Sequence, residues 1–108
     1  MDTITRTELK EWMEKNNDLA VIEVLPEDSY AEYHLPGAIN VPITDDFDEN
    51  IQAAVPDKDR PVVVYCQNAE CGASPRAARR MDELGYENVY DYERGKTDWK
   101  EAGLPVER

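Results

Sequence analysis

Two runs of apolar residues stand out along the chain, Leu19-Ala20-Val21-Ile22-Glu23-Val24 and Pro61-Val62-Val63-Val64-Tyr65. Neither alternates apolar with polar, so both read as strands buried on two faces, as in a parallel sheet. Other segments repeat at helical spacing. Thr5-Arg6-Thr7-Glu8 forms a capping box, and Leu9, Trp12 and Met13 then share one face of a helix running to about Asn16-Asn17. Pro26 can open a helix over Glu27 to Tyr33, and a further helix is expected from Phe47 to Ala54. Ser74-Pro75 pairs a capping side chain with a first-turn proline. In the helix that follows, Ala77, Ala78, Met81 and Leu84 form the inward stripe, with Arg76, Arg79, Arg80, Asp82 and Glu83 outward and Gly85 as the stop.

Shorter strands complete the pattern. Ile4 marks a very short first strand, Ile39-Asn40-Val41 one closed by Pro42, and Asn88-Val89-Tyr90-Asp91-Tyr92 the last. His34-Leu35-Pro36-Gly37-Ala38 is a turn, and Gly95 leads into a short helix carrying Trp99 and stopped by Gly103. Strands alternating with helices predict an α/β fold around a mainly parallel sheet. At 108 residues, without repeats or a Gly/Ser linker, the expectation is one domain over residues 1–108.

Composition narrows the partners. The formal net charge is −12, which sets the chain against nucleic acid because phosphates would be repelled. The acidic residues are scattered except at Asp45-Asp46-Phe47-Asp48-Glu49, the pattern of a solvated surface. No run reaches the ~18 apolar residues of a membrane span, and Met1-Asp2-Thr3-Ile4-Thr5-Arg6 carries no apolar signal core. The expectation is a soluble cytoplasmic protein, with no membrane or nucleic-acid partner, as a monomer or weak homodimer. Two cysteines are too few for a disulfide framework, and free thiols persist in a reducing compartment.

Both cysteines stand in one loop. Cys66 follows the strand ending at Tyr65, and Cys71 comes five positions later, before the helix expected at Ser74. The connection from Cys66 to Ala73 exceeds the ~2–6 residues usual between strand and helix. Ligands of α/β sheets bind at the carboxyl ends of strands, where a helix N-terminus offers free N–H groups and favours an anion. A thiol there is favoured as thiolate, the nucleophilic form. The loop fits a cysteine that attacks or carries something anionic.

The chain resembles a single-domain rhodanese, a sulfurtransferase. Leu19 to Val24, the segment His34-Leu35-Pro36-Gly37-Ala38-Ile39-Asn40-Val41-Pro42, Val62 to Cys66, Leu84-Gly85-Tyr86-Glu87-Asn88-Val89-Tyr90, Gly95 to Trp99 and Ala102-Gly103-Leu104-Pro105-Val106 resemble the family's segments in order. The resemblance implies a three-layer sandwich, a five-stranded, mainly parallel sheet flanked by helices. It implies a catalytic cysteine, by position Cys66, cycling between thiol and persulfide. The donor would be thiosulfate or a protein or small-molecule persulfide, and the acceptor cyanide or a thiol. The N–H groups of Gln67, Asn68, Ala69, Glu70, Cys71, Gly72 and Ala73 would cradle the persulfide up to Ser74, with no metal or organic cofactor.

The departures concern charge and the second thiol. The loop is two residues longer than the family's common length and lacks its usual arginine, and Leu25 stands where another arginine is frequent. Arg76, Arg94 and Lys96 are the nearby candidates to supply positive charge. Cys71 admits three readings: a resolving thiol, a second transfer site, or a neutral loop residue. A register with Cys71 as nucleophile also stays open, because Cys71 and Arg76 have the family's cysteine-to-arginine spacing. The related phosphatases need an arginine six positions after the cysteine, where this chain has Gly72 or Ala77. Cys66, Cys71 and His34 make a poor zinc set. His34 reads as fixing its turn, and Glu23 as a hydrogen-bonding group at a strand end. A redox-sensing or protein-binding module with a reversible Cys66–Cys71 disulfide is the alternative to the enzyme.

Overall fold

In the computed structural model, which describes residues 2–16 and 18–108, the two apolar runs lie side by side at the centre of a five-stranded sheet. The strands are β1 (Asp2–Thr3), β2 (Ala20–Glu23), β3 (Ile39–Asn40), β4 (Val62–Tyr65) and β5 (Val89–Tyr92), and the helices α1 (Arg6–Lys15), α2 (Glu27–Glu32), α3 (Phe47–Ala54), α4 (Ala73–Glu83) and α5 (Gly95–Glu101). The sheet order is β1-β5-β4-β2-β3 with every pair parallel. β2 pairs with β4 from Ala20–Val62 to Glu23–Tyr65, so the two runs end level with each other. The first strand lies just before Ile4, whose N–H donates to the Asp91 carbonyl at 3.0 Å.

Alternation along the buried strands divides the core in two. Ala20, Ile22, Val62, Val64 and Val89 face α3 and α4, where Phe47, Ile51, Ala77 and Met81 meet them. Val21, Val63, Tyr65 and Tyr92 face the other way, onto Leu9, Leu35 and Trp99. Helices cover both faces, as a parallel sheet requires. All four residues of β4 are fully buried, which accounts for the run of valines: any polar side chain there would lose its water without a partner.

The first helix begins at the capping box, with Thr5 Oγ1 accepting from the Glu8 N–H at 3.2 Å and Glu8 Oε1 accepting from the Thr5 N–H at 3.0 Å. Its expected end at Asn16-Asn17 holds at Asn16, the C-cap, while Asn17 lies outside the described residues. The start of α4 differs from expectation. Gly72 is the N-cap, so Ser74 and Pro75 fall inside the first turn. Pro75 is tolerated there because a first-turn N–H has no helical partner. The hydroxyl of Ser74 is buried and used elsewhere, as described below.

Candidate active site

The loop from Cys66 to Gly72 leaves the carboxyl end of β4, the middle strand, and delivers the chain to the N-terminus of α4. A turn shapes it: Asn68 Oδ1 accepts from the N–H groups of Glu70 and Cys71, both at 3.1 Å. The second wall is α5. The N–H of Lys96 donates to the Cys66 carbonyl and that of Thr97 to the Gln67 carbonyl, each at 3.0 Å. Gly95 makes this approach possible. Its φ is +73°, and a Cβ there would stand 2.5 Å from the Cys66 carbonyl oxygen. A side chain is excluded both by that contact and by the left-handed backbone.

Cys66 is fully buried on the α4 side of the sheet. Its Sγ lies 3.4 Å from the Cys71 carbonyl oxygen, 3.5 Å from Ser74 Oγ and 4.0 Å from the Asn68 carbonyl oxygen. Burial pushes the Cys66 thiol up, and a hydrogen bond with the Cys71 thiol adds to the rise, against the lowering effect of the Ser74 hydroxyl and N–H. Cys71 is only half-buried. Burial pushes its thiol up too, but the bond to Cys66, the N–H groups of Ala73 and Gln67 and the charge of Arg76 together outweigh it, so it lies below the ordinary cysteine value. Cys71 is thus the more acidic thiol of the two.

The loop amides expected around one sulfur are thus shared between two. The Ser74 N–H serves Cys66, those of Gln67 and Ala73 serve Cys71, and those of Glu70 and Cys71 are taken by Asn68. Asn68, Ala69 and Glu70 form the exposed rim. Beside them runs a shallow groove of about 220 Å³, where Arg94 meets Glu70, Asp98 and Glu101. Arg76 is exposed and acts on Cys71. Lys96, by contrast, supplies no charge to the loop.

Lys96 instead lies on the opposite face of the sheet, buried with Glu23. Its Nζ donates to Glu23 Oε2 at 3.2 Å and to the carbonyls of Ser29 and Tyr33 at 2.6 and 2.8 Å. Tyr65 donates its hydroxyl to Glu23 Oε1 at 2.8 Å and accepts from the Leu35 N–H at 3.1 Å. Burial raises the Glu23 carboxyl above its ordinary value, with Tyr65 and Lys96 pulling the other way. His34 fixes its turn, its Nδ1 2.8 Å from the Tyr30 carbonyl and its ring stacked on Tyr30.

Sequence reasoning passed over Asp91. Its carboxyl is buried on the α4 face, and its Oδ1 has no hydrogen-bond partner among the described residues. Burial raises it above the ordinary carboxylate value. The signal was there in the alternation, since Asp91 takes the inward position two residues after the buried Val89.

A parallel α/β sheet that ends its middle strand in a buried thiol, facing a helix N-terminus, defines a cysteine-loop protein without a metal cluster among the described residues. The chain belongs to the rhodanese-like domain family, which matches residues 5–102. It is 38% identical over 106 residues to the HTH-type transcriptional regulator Rv0324 of Mycobacterium tuberculosis, covering 98% of this chain and 45% of the regulator. It is 31% identical over 93 residues to the thiosulfate sulfurtransferase GlpE of Coxiella burnetii, covering 85% of this chain and 82% of that protein. Its fold superposes on a crystal structure of thiosulfate sulfurtransferase from Pseudomonas aeruginosa with a TM-score of 0.87 at 30% identity, covering 100% of this chain and 20% of that one. The chain therefore spans about half of the regulator it matches and most of GlpE. No helix among the described residues is long and apolar enough to cross a membrane.

Proposed function

We propose that this chain is a sulfurtransferase that carries sulfane sulfur as a persulfide on Cys66 and works in the cytoplasm. The observation that carries the reading is the buried Cys66 thiol at the end of β4, hydrogen-bonded to the Cys71 carbonyl and to Ser74 in the first turn of α4. With thiosulfate as donor, the Cys66 thiolate attacks the outer sulfur. The sulfur–sulfur bond of the donor breaks, sulfite leaves with the electron pair, and Cys66–S–S⁻ remains. Cyanide or an acceptor thiolate then attacks the outer sulfur and restores the Cys66 thiolate. The Ser74 amide and the α4 N-terminus stabilise charge on the sulfur in both steps.

The groove at the loop rim favours one kind of donor. It holds three carboxylates to one arginine, on a chain of net charge −12. A dianion is repelled there, so a persulfide borne on a thiol is the better donor than thiosulfate. Cys71 supplies an exit. Its thiol can attack the inner sulfur of the Cys66 persulfide, closing a Cys66–Cys71 disulfide as hydrosulfide leaves with the pair. A thiol reductant then reopens the disulfide. A sensing module with the same disulfide is the second reading, favoured by the two free thiols in one loop and by the regulator among the relatives.

Steady-state transfer separates the two. A sulfurtransferase forms thiocyanate from thiosulfate or glutathione persulfide plus cyanide, with activity abolished in Cys66→Ser. A sensor forms none with either donor, and gains a reversible disulfide under mild oxidant.

A further inference from the structure

We propose that Thr97 is a positioning residue for sulfur transfer: acting through Gln67, it holds the first two peptides of the cysteine loop with their N–H groups turned to the sulfur side. The proposal rests on the reading of Cys66 as the sulfur carrier. Gln67 and Thr97 are joined twice. The Thr97 N–H donates to the Gln67 carbonyl at 3.0 Å, and Gln67 Nε2 donates back to Thr97 Oγ1 at 2.7 Å. The same Nε2 reaches the hydroxyl of Tyr33, the residue that ends α2, at 3.5 Å. One residue earlier, the Lys96 N–H holds the Cys66 carbonyl at 3.0 Å.

These bonds set the direction of the loop amides. In a trans peptide the N–H points opposite to the carbonyl of the residue before it. With the Cys66 and Gln67 carbonyls turned onto α5, the N–H groups of Gln67 and Asn68 are turned away from it. Cys66 packs with α3 and α4 on one side of the sheet, and α5 lies against the other side through Trp99. The clamp therefore aims both amides toward the side where a persulfide on Cys66 carries its charge.

The first turn of α5 is fitted for this. Its N–H groups have no partner within the helix, and Arg94, the N-cap residue, makes no side-chain cap bond, so the loop carbonyls take that place. Lys96 anchors the same turn to the sheet, its ammonium bonded to Glu23 and to the carbonyls of Ser29 and Tyr33. Two neighbouring residues divide the work: Lys96 fixes helix to sheet, and Thr97 fixes loop to helix. Cys71 in the loop faces Cys66, Arg76 on α4 acts on Cys71, and Asp91 on β5 is buried on the same side of the sheet. The variants below leave all three in place, so a change in Cys66 reactivity reports the amides.

Thr97→Val keeps the backbone bond and deletes the Oγ1 acceptor. Its kcat/KM for transfer from thiosulfate to cyanide should fall about tenfold, short of the ~10²-fold that loss of a whole oxyanion donor brings, because the backbone bonds to α5 remain. Iodoacetamide alkylation of Cys66, located by fragment-ion mass in the intact chain, needs no donor. Its rate at neutral pH should fall by the same factor, with the pH midpoint raised by about one unit. Thr97→Ser should restore both. Gln67→Met reads the same bracket without touching α5 and should match Thr97→Val, with the double variant no worse than either. An unchanged alkylation profile in Thr97→Val and Gln67→Met overturns the proposal, even if KM rises, since Thr97 would then only touch the donor at the rim groove. So do additive losses, or a loss that tracks a lower urea midpoint and is not restored by Thr97→Ser, the mark of a damaged helix. Sulfur uptake that survives Cys66→Ser refutes Cys66 as carrier instead, whereas a failed clamp leaves that uptake on Cys66 intact.

Discussion

Replacing Lys96 by methionine removes a buried cation and leaves its carboxylate behind. Lys96 is 1% exposed and Glu23 fully buried, and all three ammonium protons are in use, on Glu23 and on the carbonyls of Ser29 and Tyr33. Methionine fills the same volume, so the loss is electrical. Breaking a buried pair from one side costs about 3–5 kcal/mol. That is a large share of the ~5–15 kcal/mol that holds a domain folded, and of the order of 20 °C in Tm. The sign with pH is fixed by Glu23, whose carboxyl is already raised by burial and rises further without Lys96. A raised carboxyl costs stability above its folded pKa and costs nothing below its unfolded value. The penalty of Lys96→Met is therefore largest near neutral pH and shrinks on acidification through the raised Glu23 value. Urea titrations of Lys96→Met, Glu23→Gln and the double variant measure it, because the midpoint should shift with the slope unchanged. The double variant should recover most of the loss, with a coupling of at least about 2 kcal/mol. A Lys96→Met variant within about 0.5 kcal/mol of wild type, or additive single effects, would refute the buried pair.

Three further outcomes follow from the same contacts. Gly95→Ala should cost about 2–5 kcal/mol, the sum of a left-handed backbone and an overpacked contact with Cys66 and Gln67, and should lower transfer activity more than stability; wild-type urea midpoints and rates would contradict it. Asp91→Asn should be about 1–3 kcal/mol more stable than wild type near neutral pH, since an unpartnered buried carboxylate is lost. Because Asp91 is raised, that gap should close as pH falls through its folded value, and a gap that widens on acidification reverses the sign. Raising salt should increase kcat/KM for thiosulfate several-fold by screening the acidic surface, and leave a neutral donor unaffected; a fall with salt would mean a cationic donor site.

The legible part of the fold was its apolar grammar. Runs buried on both faces marked β2 and β4 as strands of a parallel sheet, and the capping box placed α1, because both depend on residues close in sequence. Cys66 was legible for the same reason, as the residue where the β4 run stops. The start of α4 was not. Ser74 looks like a cap from its neighbours, yet its hydroxyl is recruited by Cys66 across the loop. Lys96 read as a possible positive charge for the loop, and the fold turns its side chain to the other face. A glutamate in an apolar run announces a buried cation, but only the tertiary fold supplies Lys96, far along the chain. Asp91 broke a two-residue alternation in plain view, among tyrosines that made the strand look mixed.

The central claim is that sulfur rests on Cys66. Intact mass after treatment with thiosulfate or glutathione persulfide tests it most directly, in wild type, Cys66→Ser and Cys71→Ser. The account predicts a gain of one sulfur in wild type, removed by cyanide, absent in Cys66→Ser and largely kept in Cys71→Ser. A gain that persists in Cys66→Ser and vanishes in Cys71→Ser would move the chemistry to the exposed thiol and contradict it.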